Sequence, residues 1–260
     1  MHLFKKSIYI IILVLFFTIS ISSFSLSNYI NEGSSRDYIF HFENYYNDIL
    51  RLDNDEEVIW RLQLLIKNPK YISYNKARHY LFSYVENFNS EINCIYTDLV
   101  VYDTKIPDHT IMNTEHVFPR SWFFGGEQNY MLSDLHALKP SWSRANSIRS
   151  NWPFDLIDKN GVILHDLDGS LLGENKFGER VFEPKDKSKG QIARIIFYWS
   201  VRYEWTIDER LEIIFREWNK KYPPCELEIL RNSRVEDIIG TRNPFIDNLD
   251  IINKISRFKF

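Results

Sequence analysis

NTEHVFPRSW, residues 113–122, decides how this chain is read. Glu115 and His116 stand side by side, just before a Val-Phe-Pro run. On an ideal strand, successive side chains point to opposite faces, so two adjacent polar residues should not share one pocket. Either one of them is ordinary surface, or the backbone ends or bends here and both serve one site. The second alternative predicts a strand that stops at the pair. Val117 and Phe118 would lead the chain away, and Pro119 would stop ladder pairing.

Working outward, the same segment gathers Glu115, His116, Asp134, His136, Asn146, Arg149 and Asn151. The stretch SWSRANSIRSNW reads as a helix with Ala145, Ile148 and Trp152 as its apolar stripe and Pro153 marking its end. Asn146, Arg149 and Ser150 fall at i, i+3 and i+4, on one polar face. Residues 139–154 hold Lys139, Arg144 and Arg149 and no acid, a local charge of +3 that attracts phosphate. A carboxylate and an Asn carbonyl suit a hard cation such as Mg²⁺ or Ca²⁺. Neutral His is a poor ligand for those ions and a good general base near neutral pH. A hard metal beside a base and an Arg points to hydrolysis of a phosphate ester. Singly, each residue has a plainer reading. A Glu-His pair is usually surface, DLH at 134–136 reads equally as a structural hydrogen-bond pair, and Asn146 as a solvated helix residue. Their co-occurrence in one segment is what favours a site.

The rest of the chain narrows the field. It has 260 residues, is 44% hydrophobic and 16% aromatic, and so buries a sizeable core in one large domain or two small ones. Residues 1–25 place Lys5 and Lys6 before an apolar run from Ile8 to about Phe17, then Ser20, Ser22 and Ser23. This is the layout of a secretory signal peptide, with an uncleaved membrane anchor as the alternative because the run is long. Removing this leader takes away two lysines and no acid, which lowers the net charge from −3 to −5. A nucleic-acid binder of that charge needs a local basic patch. Cys94 and Cys225 are the only cysteines, so the fold is no disulfide scaffold, and whether they pair is open. HExxH, CxxC, GxGxxG, GxxxxGK[ST] and GxSxG are all missing, which removes the common zinc helices, phosphate loops and nucleophile elbows.

Helices are expected over 53–67 (capped by Asp53), 73–86, 190–203, 208–218 and 226–239, and strand over Ile95–Tyr102 and in pieces between 155 and 187. Residues 73–86 put Ala77, Tyr80, Leu81 and Tyr84 at helical spacing. In the helix from Gly190, the face of Arg194, Tyr198 and Arg202 reads as wet surface rather than a binding groove. The acids Glu183 and Asp186 weaken the nearby lysine cluster of Lys185, Lys187 and Lys189. The mixture makes an α+β domain over 26–260.

Four blocks then carry a resemblance: EHVFPRSWF, DLHALKPSWSRANSIRSNWPF, KGQIARIIFYWSVRY and GTRNPFID, in order between about Tyr45 and Asp247. Together they resemble the bacterial endonuclease I family, secreted or periplasmic nonspecific nucleases of the ββα-metal (His-Me finger) class. The resemblance implies a mostly helical single domain around a ββα-metal core. It implies Glu115 and Asn146 as Mg²⁺ ligands, with Ca²⁺ or Mn²⁺ as alternatives, and His116 as the base that activates water. It places Asp134, Leu135 and His136 in a supporting element beside Asn151. It also implies 5′-phosphate products and a monomer that takes DNA, or RNA as well, through phosphates without sequence preference. No stable membrane association is implied if the signal is cleaved. One departure stands out. Some members carry a phosphate-binding Arg in a long, Cys-bearing loop, whereas here PRSWFFGGEQNYMLS is short and holds only Arg120. Arg149 is the first candidate for that catalytic phosphate role and Arg120 the second, with Arg144 and Lys139 as further substrate contacts. A noncatalytic exported nucleic-acid-binding protein, and a hydrolase of another phosphodiester, remain alternatives.

Overall fold

The computed structural model describes residues 46–103 and 105–260. The chain divides into Met1–Asp48 and Ile49–Phe260, and every element named here belongs to the second unit. The leader read over 1–25, with its boundary at residue 26, lies outside the described residues. Among those described, no helix is long and apolar enough to cross a membrane.

The first helix is Asp55–Ile66 (α1). Asn54, not Asp53, caps it by accepting from the Glu57 amide, and three acids in its first turn suit the helix dipole. Tyr74–Tyr80 (α2) runs on into a π turn, Leu81–Val85. There the Glu86 amide reaches back to the Leu81 carbonyl at 2.9 Å, and the extra residue rotates the positions after it about the helix axis. Phe82 and Val85 therefore join Ala77 and Leu81 in the core, while Tyr84 is turned out to solvent against the helical spacing read from sequence. The same rotation buries the Glu86 carboxylate.

Asn87–Phe88 (β1), Glu91–Asn93 (β2) and Val100–Tyr102 (β3) form a small antiparallel sheet in that order. The strand expected over Ile95–Tyr102 is thus strand only at its end, with Ile95, Tyr96 and Thr97 buried in the connection. Cys94 Sγ accepts from the amides of Tyr96 and Trp142, at 3.4 and 3.1 Å. Cys94 and Cys225 are both free thiols, one buried and one exposed, so the bridge left open by sequence does not form.

Met112–His116 (β4) is followed by a helix missed from sequence, Gln128–Ser133 (α3), then Leu138–Trp142 (β5) and Ser143–Arg149 (α4). β4 and β5 pair antiparallel from Met112 against Trp142 to His116 against Leu138. α4 ends at Arg149, before the expected stop at Trp152, because Ser150 takes φ 51° and breaks the helical path. Ile163–Leu167 (β6), Ser170–Glu174 (β7) and Arg180–Glu183 (β8) make a second three-stranded antiparallel sheet.

Asp186–Tyr203 (α5), Glu209–Lys221 (α6), Glu226–Ile239 (α7) and the short Pro244–Asp247 (α8) complete an α+β architecture. α5 is the central helix. From Ser188 to Tyr203 every residue but Gln191 is buried. This corrects the wet face expected at Arg194, Tyr198 and Arg202. Arg194 is enclosed by α6 and α7, its Nε and Nη2 on the Glu228 carboxylate at 2.7 and 2.6 Å and its Nη1 on Asn219 and the Tyr222 carbonyl. Gly190 makes that closure feasible, since a Cβ there would lie 2.0 Å from the Tyr222 carbonyl oxygen.

Candidate active site

The β4–β5 pair is covered on both faces. Glu115 is 2% exposed and His116 7%. Both sit at the end of the strand, His116 as its last residue, with one further bond from the Val117 amide to the Ala137 carbonyl at 3.1 Å. Pro119 then opens a 3₁₀ turn, Arg120–Trp122. Because the strand is buried on both sides, neighbouring side chains leave it toward different partners, and each polar group is met where it points.

Glu115 Oε1 accepts from the Tyr96 hydroxyl at 2.7 Å. Arg149 Nε stands 3.4 Å from the same oxygen, an ion-pair contact without hydrogen-bond alignment. Burial pushes the Glu115 carboxyl above its ordinary range, and Arg149 and Tyr96 pull it back only in part. Glu115 Oε2 makes no hydrogen bond among the described residues and keeps contact with solvent.

His116 Nε2 lies 3.0 Å from the Leu132 carbonyl oxygen. A carbonyl only accepts, so Nε2 carries the proton and Nδ1 is left with a lone pair. The ring packs against Tyr74 and Phe123, with centroids at 5.5 and 6.0 Å. Burial lowers the His116 pKa to about 4, reinforced by the charges of Arg120 and Arg149 and opposed by the bond to Leu132. The imidazole is therefore neutral at physiological pH.

α4 docks onto this strand end. Asn146 Nδ2 donates to the Thr114 carbonyl at 3.1 Å, which fixes the amide orientation and leaves Oδ1 without a hydrogen bond among the described residues. Arg149 is 1% exposed. Its Nη2 donates to the Val117 carbonyl at 2.7 Å, its Nη1 to the Ser150 carbonyl at 3.0 Å, and its guanidinium lies 4.5 Å from the Phe154 ring centroid. Its donors are committed to holding the strand end, which leaves it badly placed to meet a phosphate.

The other expected residues scatter. Lys139 is buried, its ammonium 2.6 Å from Glu86 and 3.0 Å from Gln191, and so faces the interior rather than a substrate. Arg120 is exposed on the 3₁₀ turn beside His116. Arg144 is exposed over the Trp142 ring, and the exposed Asn151 donates to Ser121 Oγ at 3.2 Å. Asp134 and His136 sit in the interior. Asp134 accepts from the His136 amide, Tyr198 and Tyr203, and His136 Nε2 bonds the Thr241 carbonyl at 3.0 Å. Sequence reasoning missed Tyr96, Tyr74 and Leu132. A buried tyrosine hydroxyl demands a partner, but nothing in IYTDLVVY says which.

Among the described residues, no three His, Cys, Asp or Glu side chains converge as a metal cluster. The donors that remain are one carboxylate oxygen and one amide oxygen, both hard.

The model of the Endonuclease I family matches residues 24–250. The chain belongs to the endonuclease I family. It is 32% identical over 149 residues to Endonuclease-1 of Buchnera aphidicola subsp. Baizongia pistaciae, covering 51% of this chain and 60% of that protein. It is 31% identical over 150 residues to a periplasmic deoxyribonuclease of Aeromonas hydrophila, covering 51% and 62%. With an extracellular ribonuclease of Bacillus subtilis the figures are 30% over 161 residues, covering 55% and 53%. In each case the chain spans less than two thirds of the relative's length. Both halves of the site, β4 and α4, lie inside the span matched to endonuclease I.

Proposed function

We propose that this chain is an exported, metal-dependent endonuclease that hydrolyses phosphodiester bonds of DNA, and of RNA as well, without reading sequence. The observation that carries the proposal is His116, whose tautomer is set by the Leu132 carbonyl and whose Nδ1 is unprotonated, on a strand end that also carries Glu115 and to which the Asn146 amide is bonded, each of these two keeping one oxygen without a hydrogen bond among the described residues. The family and the nuclease names of its relatives support the reading.

The donor set fits a hard divalent cation. Glu115 Oε2 and Asn146 Oδ1 would hold Mg²⁺, with Ca²⁺ or Mn²⁺ as alternatives and waters completing the shell. Such an ion supplies Lewis-acid stabilisation of charge on the phosphate and the departing oxygen. The protein supplies the rest. His116 Nδ1 takes a proton from a water whose oxygen attacks phosphorus. The P–O3′ bond breaks, solvent protonates the 3′ oxygen, and the products are a 3′-hydroxyl and a 5′-phosphate. Tyr96 and Arg149 keep the Glu115 carboxylate in place. Arg120, exposed and close enough to lower the His116 pKa, takes the phosphate contact left by the committed Arg149. Phosphate contacts carry no sequence information, so binding is sequence-tolerant and weakens with salt.

The decisive experiment offers plasmid DNA, RNA and a small phosphodiester to the purified chain in Mg²⁺, with EDTA as control. Cleavage of both nucleic acids that EDTA stops is expected. Binding without cleavage would leave a noncatalytic nucleic-acid binder, and cleavage of the small diester alone would make it another hydrolase. Glu115→Gln and Asn146→Ala should each raise the Mg²⁺ concentration needed for half-maximal rate. Unchanged Mg²⁺ titrations in both would remove the metal-site assignment.

A further inference from the structure

A concave feature lies along α2. A groove of about 610 Å³ is lined by Lys70, Tyr71, Ser73, Lys76, Tyr80 and Tyr84, with Asp237 and Ile238 of α7 on its far side. Ser73, Lys76, Tyr80 and Ser83 recur along one face of α2 and its π turn, so the groove runs along that face. Tyr71 is 50% exposed and stands edge-on to Tyr130, at 5.2 Å and 67°, which holds its ring while leaving a face open. Among the described residues neither Lys70 nor Lys76 has an ion-pair partner. The one acid, Asp237, accepts the Tyr84 hydroxyl at 2.7 Å. Two contacts tie the elements around the groove to those around the site. Tyr74, next to Ser73, packs its ring 5.5 Å from His116, and α3 carries both Tyr130 and the Leu132 carbonyl that holds His116.

We propose that this groove holds unpaired nucleotides of the strand being cut, with bases stacked on Tyr71 and Tyr80 and phosphates met by Lys70 and Lys76. The inference rests on the nuclease reading and adds a substrate class to it. An exposed tyrosine ring beside ammonium groups without ion pairs matches a chain of flat rings joined by anions. A duplex keeps its base faces inside its own stack, so only a single strand, a frayed end or a loop offers faces to these rings. The volume lies in the range of small-ligand pockets, roughly 300–1,000 Å³, which is room for a short run of nucleotides.

The test reads binding without turnover. Fluorescence anisotropy in EDTA, on a His116→Ala background, compares a labelled single-stranded oligonucleotide with a hairpin duplex. Tyr71→Ala should weaken single-strand binding about 5- to 150-fold, the equivalent of roughly 1–3 kcal/mol per stacked base, and lower the ratio of single-strand to duplex affinity. Tyr71→Phe, which keeps the ring, should restore the ratio. Lys76→Gln, at an exposed position that does not risk the fold, should reduce the slope of log K against log salt by about 0.7 for the single strand. An unchanged ratio in Tyr71→Ala, a Phe variant as weak as Ala, or no single-strand binding at all would overturn the groove. A wild-type chain that cuts no nucleic acid would instead overturn the nuclease reading, while the anisotropy still decides whether the groove binds.

Discussion

His116 and His136 lie twenty residues apart and begin alike. Each gives its Nε2 proton to a backbone carbonyl at 3.0 Å, Leu132 in one case and Thr241 in the other. In each, burial drives the pKa below the ordinary histidine value. They part at the other nitrogen. His136 Nδ1 is sealed in the interior with no partner, under the Tyr198 ring at 4.6 Å. His116 Nδ1 keeps contact with solvent, and the ring sits between Tyr74 and Phe123. The two imidazoles share a tautomer and the direction of their pKa shift, and they differ in the solvent access of Nδ1.

The largest expected effect tests that contrast directly. His116→Ala should slow cleavage per folded molecule on the order of 10²–10⁴-fold, because a base is lost, and should lower the melting temperature as well, because the bond to Leu132 and the ring contacts with Tyr74 and Phe123 go with it. His136→Ala should lower stability alone. It removes a buried ring and leaves the Thr241 carbonyl short of a donor, so melting falls while the rate per folded molecule holds. A His136 variant that stays folded and is as slow as the His116 variant would break the comparison.

The two arginines nearest the strand end make a parallel pair. Arg149 and Glu115 form an ion pair with side chains 1% and 3% exposed. Removing one partner of such a pair strands the other charge, which costs about 3–5 kcal/mol. Arg149→Ala should therefore show its effect first in denaturant midpoints. Arg120→Ala should leave those midpoints unchanged and reduce the rate about tenfold or more, if it is the phosphate contact. Equal destabilisation by both substitutions would mean that Arg120 also serves the fold.

These pairs show what the chain of letters made legible. The strand that ends at Glu115 and His116 could be read because Pro119 follows it, and the helix bearing Asn146 from its apolar positions, although that reading took Ser141 and Trp142 of β5 into the helix and ran it past Arg149. Most helices were read from periodicity alone, and α7 within its observed bounds. What escaped was whatever depends on contacts far apart in the chain. Arg194 looks like surface in its own helix until Glu228, thirty-four residues on, closes over it. Lys139 looks like part of a basic patch until the π turn at Leu81–Val85 brings Glu86 inward to meet it. Tyr96 gave no sign of its bond to Glu115, because a hydroxyl's partner is set by tertiary packing. Charge patterns are local in sequence, and burial is not.

The smallest expected effect sharpens the histidine comparison in metal-free buffer. His116 has a folded pKa of about 4, while an unfolded chain shows the ordinary value of about 6.5. Between these two values the unfolded state binds a proton that the folded state refuses, so stability falls as pH falls through this window and is fully present above it. Other buried groups act in the same range. Asp134 and Glu115, whose carboxyls are pushed upward by burial, shift stability in the opposite sense on acidification. The difference between wild type and His116→Gln therefore isolates the imidazole. The wild type should lose melting temperature more steeply than the variant between about pH 6.5 and 4, with the two curves parallel above that range. Curves that stay parallel throughout would mean that His116 takes up its proton without unfolding. The acid limb of cleavage should then sit near the ordinary histidine value instead of near 4.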